Sequence, residues 1–110
     1  MIFSIIITTY NYEKYIIESI DSALNQDFLG EYEVIVVDDC STDNTQLILN
    51  SYDSIVRVNN EMNLGLEVSA NNGIKKAGGK YVVRLDADDY LEENFLSEMS
   101  KHIENEDTFY

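Results

Sequence analysis

Two periods of hydrophobicity alternate along the chain. Ile2 to Thr9, IFSIIITT, is a β-branched apolar run too short for most helices, and it predicts a strand buried on both faces. In YEKYIIESIDSALNQ the period lengthens. Tyr12, Ile16, Ile20 and Leu24 recur at every fourth position with Tyr15 and Ala23 beside them, which predicts the inner stripe of an amphipathic helix, and Asn11 stands where an N-cap belongs. YEVIVVDD, Tyr32 to Asp39, repeats the strand pattern, and STDNTQLILNSY then predicts a short helix capped by Ser41 or Thr42. SIVRVNN is a third strand candidate. NLGLEVSANNGIKKAGG follows a turn at Asn63 and Gly65, carries Leu66, Ala70 and Ile74 on one side, and stops at Gly78 and Gly79. KYVVRLDA reads as the fourth strand, and Leu91, Phe95, Met99 and Ile103 form the stripe of a last helix.

Strands that alternate with helices across short connections favour a parallel sheet, because parallel neighbours need a crossover between them. The expected fold is therefore α/β: a Rossmann-like βαβαβαβα three-layer sandwich with a mostly parallel sheet. The chain has no proline, low-complexity stretch or sequence repeat to mark a linker, so residues 1–110 read as one domain.

Composition narrows the partners. With 45% hydrophobic and 25% charged residues, the chain has the apolar surface that folding requires. Its formal net charge of -14 repels phosphate backbones and anionic headgroups, which argues against nucleic acid and against a basic membrane-binding face, and favours a cation. The N-terminus lacks the basic residues that open a secretory signal, and no segment is long enough to span a bilayer. A cytoplasmic location is expected, with membrane association left to a longer natural protein. Cys40 is the single cysteine, which excludes an internal disulfide; Asp39 beside it disfavours the thiolate, so Cys40 reads as a small buried residue. His102 reads as a solvated or packed helix residue.

Chemistry gathers where the strands end. Thr8, Thr9, Tyr10 and Asn11 follow the first strand, Asp38 and Asp39 the second, and Asp86, Asp88 and Asp89 the fourth. In open α/β sheets these ends share one rim, where ligands bind. Carboxylates collected there repel one another, raising their pKa values unless something positive sits among them. An all-oxygen set suits magnesium, manganese or calcium rather than zinc, and the glycine and terminal glutamate of an EF-hand loop are absent. Magnesium and manganese often bridge carboxylates to phosphates, which implies a phosphorylated ligand. The plainer reading is helix capping and dipole complementation, each worth about 0.5–2 kcal/mol, although one aspartate would suffice for it. From the residue pattern alone both readings stay open. Tyr10 can likewise be a core aromatic or a surface for stacking a base.

Four segments taken in order, SIIITTYNYEKYIIESIDSALNQ, YEVIVVDDCSTDNT, NLGLEVSANNGI and GKYVVRLDADD, resemble the successive signatures of family 2 glycosyltransferases with the GT-A fold. The resemblance implies that Thr9, Tyr10, Asn11 and Asp39 hold the nucleotide base. It identifies DAD with the family's DxD motif, so that Asp86 approaches the ribose and Asp88 holds Mn2+ or Mg2+ on the diphosphate, with Asp38 and Asp89 as support. The implied activity is inverting, metal-dependent transfer of a sugar from a nucleoside-diphosphate sugar, UDP-linked, to a saccharide, lipid-linked or other hydroxyl acceptor, as in polysaccharide biosynthesis. Two departures stand out. SANNG has Ala70 where relatives often carry an arginine, and the resemblance ends soon after DxD, before the acceptor-side half with its catalytic carboxylate. Residues 1–110 are therefore expected to be the nucleotide-sugar-binding half, inactive alone, with the general base beyond Tyr110. The rivals are a magnesium-dependent phosphotransfer or phosphatase-like α/β domain, for which DADDY lacks the expected downstream threonine, and a noncatalytic nucleotide-binding module.

Overall fold

Strand β1, Phe3–Thr9, is buried at all seven positions, and the sheet is built around it. A computed structural model describes residues 1–105. After β1 come α1 (Ile16–Leu24), β2 (Tyr32–Asp38), α2 (Thr45–Leu49), β3 (Val56–Asn59), α3 (Leu66–Lys76), β4 (Tyr81–Asp86) and α4 (Phe95–Asn105). The sheet order is β3-β2-β1-β4 and every pairing is parallel. Going outward from β1 to β2 to β3 and then back across to β4 puts helices on both faces, as right-handed crossovers require.

Alternation along the strands divides the core in two. Phe3, Ile5, Ile7, Val34, Val36 and Leu85 face the side covered by α1, α2 and α4, where Ile16, Ile20, Leu49 and Leu96 complete the larger cluster. Ile6, Ile35 and Val37 face the other side. There α3 lies close, since a Cβ on Gly73 would stand 2.7 Å from Ile6 Cγ2 and 2.9 Å from Val37 Cγ2. Gly79 is tighter still. Its amide donates to Ser4 Oγ at 2.8 Å, and a Cβ would sit 2.6 Å from the backbone of Phe3 and Ser4.

The architecture is the expected one, with local differences. Helix α1 begins at Ile16, so Asn11 does not cap it, and Tyr15 is half exposed rather than on the inner stripe. Neither Ser41 nor Thr42 caps α2; Asp43 Oδ1 accepts from the Thr45 amide at 2.9 Å instead. In α3 the buried residues are Ser69, Ala70 and Gly73, while Leu66 and Ile74 are exposed, because the close approach to β1 and β2 admits small side chains only. Strand β3 lies at the sheet edge and is not fully buried. Among the described residues, no helix is long and apolar enough to cross a membrane.

Candidate nucleotide-sugar site

The strand ends stand level, since Thr9 pairs with Asp38 and Thr8 with Asp86. Their side chains nevertheless part. Asp38 follows Val34 and Val36 toward the α1 side, whereas Asp86 follows Val82 and Arg84 toward the α3 side, two strands away. Sharing a rim did not make these acids a cluster.

Asp39, one residue past β2, is 1% exposed and sits in a cradle of N–H donors. Its Oδ1 accepts from Leu64 N at 2.8 Å and Asn60 Nδ2 at 2.9 Å, and its Oδ2 from Gly65 N at 2.9 Å. Burial pushes the Asp39 carboxyl up, but the Leu64 amide, the Asn60 side chain, the Gly65 amide and the Ser69 hydroxyl together hold it below the ordinary value. The expected upward shift from neighbouring carboxylates is thus reversed at Asp39, where the neighbours are donors. Gly65 makes the cradle possible: with φ of 90° it can turn its own amide toward Asp39 and start α3 at the next residue.

The loop after β1 leans on the loop after β2. Asn11, itself in a left-handed conformation with φ of 57°, accepts at Oδ1 from the amides of Thr42 at 2.7 Å and Asp43 at 3.3 Å. The Asn11 amide donates to Ser41 Oγ at 3.0 Å, and Ser41 in turn donates to Asp38 Oδ1 through its hydroxyl at 2.5 Å and its amide at 3.2 Å. Asp38 is 1% exposed; its Oδ2 and the hydroxyl of Thr9 have no partner among the described residues. Cys40 is half-buried with φ of 63°, so it marks the turn that follows the two aspartates rather than filling the core.

Tyr10, Tyr12, Asp39, Asn63, Gly65 and Leu66 line a cavity of about 170 Å³. A second cavity of about 510 Å³ shares Leu66 with it and extends past Glu67 and Arg84 to Asp86 and Asp89. Asp86, Asp88 and Asp89 are all exposed, in a turn closed by the Asp89 amide donating to Asp86 O at 2.9 Å. Arg84 Nη2 lies 3.3 Å from Glu67 Oε1. Among the described residues, no group of three or more histidines, cysteines, aspartates or glutamates is arranged to hold a metal ion. The structure thus brings Tyr10 and Asp39 together at one cavity and places Asp86 and Asp89 at the next. Thr9 and Asp38 lie buried beneath them, and Asn11 braces the loop from outside. Sequence reading missed Asn60, Leu64, Ser69 and the role of Ser41; for Leu64 the turn at Asn63 and Gly65 was the available signal.

The sequence profile described as glycosyl transferase family 2 matches residues 4–110. The chain belongs to that family. It is 39% identical over 115 residues to the poly(ribitol-phosphate) beta-N-acetylglucosaminyltransferase TarS of Staphylococcus aureus, covering 94% of this chain and 19% of TarS. It is 41% identical over 90 residues to the putative teichuronic acid biosynthesis glycosyltransferase TuaG of Bacillus subtilis, covering 78% of this chain and 35% of TuaG. The crystal structure of S. aureus TarS 1–349 in complex with UDP matches with a TM-score of 0.89 at 40% identity, over 96% of this chain and 32% of that one. A mannosyltransferase from Pyrobaculum calidifontis, in complex with GDP-Man and Mn2+, matches at 0.79 and 28% identity, over 92% of this chain and 32% of that one. The chain therefore has the GT-A fold, and it spans between a fifth and about a third of the length of these relatives.

Proposed function

We propose that this chain is the donor-holding part of a metal-dependent, inverting glycosyltransferase that takes a UDP-linked sugar and delivers it to a hydroxyl acceptor. The observation that carries this reading is Asp39, a buried carboxylate held ionised at the edge of a cavity that two tyrosines share, in a chain whose structural neighbour was solved with UDP. An ionised carboxylate only accepts hydrogen bonds. Asp39 Oδ2 takes one bond from Gly65, which leaves it a lone pair for the imide N–H of uracil. Cytosine offers no such donor in the equivalent place. Tyr10 supplies a ring for the base to lie against, while Thr9 and Asn11 fix the backbone on either side of it.

A diphosphate extending from that base crosses Leu66 into the larger cavity, where Asp86 meets the sugar moiety; Asp88, in the turn between the cavity-lining Asp86 and Asp89, takes the metal, supported by Asp89. Oxygen donors in an exposed turn fit Mg2+ or Mn2+, which keep several waters and complete their shell with substrate phosphates rather than demanding a protein cage. When bound, the metal neutralises charge on the departing nucleoside diphosphate. Asp38 is left out of this set because it faces the opposite side of the sheet. None of the aspartates assigned here is free to act as general base toward an acceptor.

Isothermal titration with uridine, UDP, GDP and CDP, with manganese or with a chelator, tests the reading. UDP should bind in manganese and lose affinity in chelator, uridine should bind in both, and CDP should fail. Equal UDP binding in chelator would remove the metal; preference for GDP would replace the nucleotide.

A further inference from the structure

Asp38 is an acidic side chain enclosed at the end of β2. It is buried, it faces the helices α1 and α2, and Ser41 alone among the described residues donates to it. A buried carboxylate is expensive unless it is well bonded, so its bond to Ser41 has a consequence beyond this pair. The Ser41 hydroxyl that donates inward to Asp38 simultaneously accepts from the amide of Asn11, on the far side of the loop. Asn11 then clasps the amides of Thr42 and Asp43, and Asp43 Oδ2 accepts from the Glu13 amide at 3.2 Å. The segment between β1 and α1 has no strand partner over these residues. Its position is set by this chain of bonds, and Tyr10 and Tyr12 flank Asn11 on the cavity shared with Asp39.

We propose that Asp38 and Ser41 are positioning residues for base recognition: the carboxylate orients the Ser41 hydroxyl, and the hydroxyl holds Asn11 so that the tyrosines stand opposite Asp39. The inference rests on the reading that the loop after β1 holds the base, and it adds a pair of residues that never touch the ligand. Orientation matters here. A hydroxyl has a single proton, and only while Asp38 takes that proton is the oxygen's lone pair directed at the Asn11 amide.

The test uses two variants and two probes. Ser41→Ala removes the hydroxyl and cuts the relay, whereas Asp38→Asn keeps a carbonyl oxygen for Ser41 to donate to. Amide hydrogen exchange at Asn11, Thr42 and Asp43 should accelerate about tenfold to a hundredfold in Ser41→Ala, the span expected from losing a hydrogen bond tied to a charged group. It should stay near the parent's in Asp38→Asn. Uridine affinity should fall in step in Ser41→Ala, while pyrophosphate binding with manganese stays at the parent's level, a split that general destabilisation would not produce. Unchanged exchange at Asn11 in Ser41→Ala overturns the relay. Accelerated exchange with undiminished uridine affinity overturns its role in recognition. A parent that binds no uridine refutes the base-holding reading itself, and the exchange measurement still decides the relay.

Discussion

Asp39→Asn tests the cradle at the strand end directly. The substitution preserves size and replaces one oxygen by an NH2 group. If the amide oxygen stays with Leu64 N and Asn60 Nδ2, at 2.8 and 2.9 Å in the parent, those two bonds survive but lose their ionic character. Each weakens by about 1 kcal/mol, the difference between charged and neutral hydrogen bonds. The new NH2 then faces the Gly65 amide, so that two donors oppose each other and one buried N–H goes unpaired, at about 1–3 kcal/mol. The sum is about 3 kcal/mol or more, a large share of a typical stability of about 5–15 kcal/mol. For a domain near this size it corresponds to a fall of roughly 10–20 °C in melting temperature. A second signature comes from pH. Because the Asp39 carboxyl lies below its ordinary value in the folded state, its contribution is complete above the unfolded value, about 4, and is lost as pH falls through the folded one. Thermal melts of parent and variant from neutral to acid pH should therefore converge as the solution becomes acid, with the variant's curve the flatter. A variant that melts with the parent at neutral pH, or that keeps the same acid slope, would show that the three donors do not stabilise a charge there.

Asp88→Asn should weaken manganese-dependent UDP binding about tenfold to a hundredfold and leave uridine binding in chelator unchanged, as measured by calorimetry; equal loss for both ligands would move Asp88 away from the metal. Gly79→Ala should cost about 1–3 kcal/mol or more in urea denaturation, because the added Cβ would lie 2.6 Å from Phe3 and Ser4 backbone atoms that sheet pairing prevents from retreating. Burial, then the hydrogen bond and charge of Asp21, push the Tyr52 phenol up to about 12. Its contribution is thus full below the unfolded value, about 10, and fades as pH rises toward the folded one. Tyr52→Phe should remove a phenol step near pH 12 from the alkaline titration seen by ultraviolet absorbance.

The strands and their order of succession were readable because short β-branched runs differ sharply from the period-four stripes between them: β1 and β2, buried almost throughout, are continuous apolar runs in the sequence. What misled was residue size. Leu66 and Ile74 look like the inner stripe of α3 with Ala70, but a helix that packs close to the sheet needs small residues inward, so only Ala70 of that stripe is buried, together with Ser69 and Gly73. A hydrophobicity pattern assumes that the apolar side is the buried side; close backbone approach breaks that assumption.

The site was legible at its side chains and hidden at its backbone. Asp38 and Asp39 are adjacent aspartates in the sequence, yet successive side chains at a strand end point to opposite faces and so take different tasks, one beneath the loop on Ser41 and the other into the donors of Leu64 and Gly65. Main-chain amides carry no residue letter, so a carboxylate that is satisfied by them looks in the sequence like one that needs a cation. Counting aspartates at a strand end therefore overstates the charge left over for a metal. At this rim Asp39 is already answered by protein donors, Asp38 is buried beneath it, and what remains exposed to a cation is the turn of Asp86, Asp88 and Asp89, where the bond from the Asp89 amide to Asp86 O leaves all three carboxylates open to solvent.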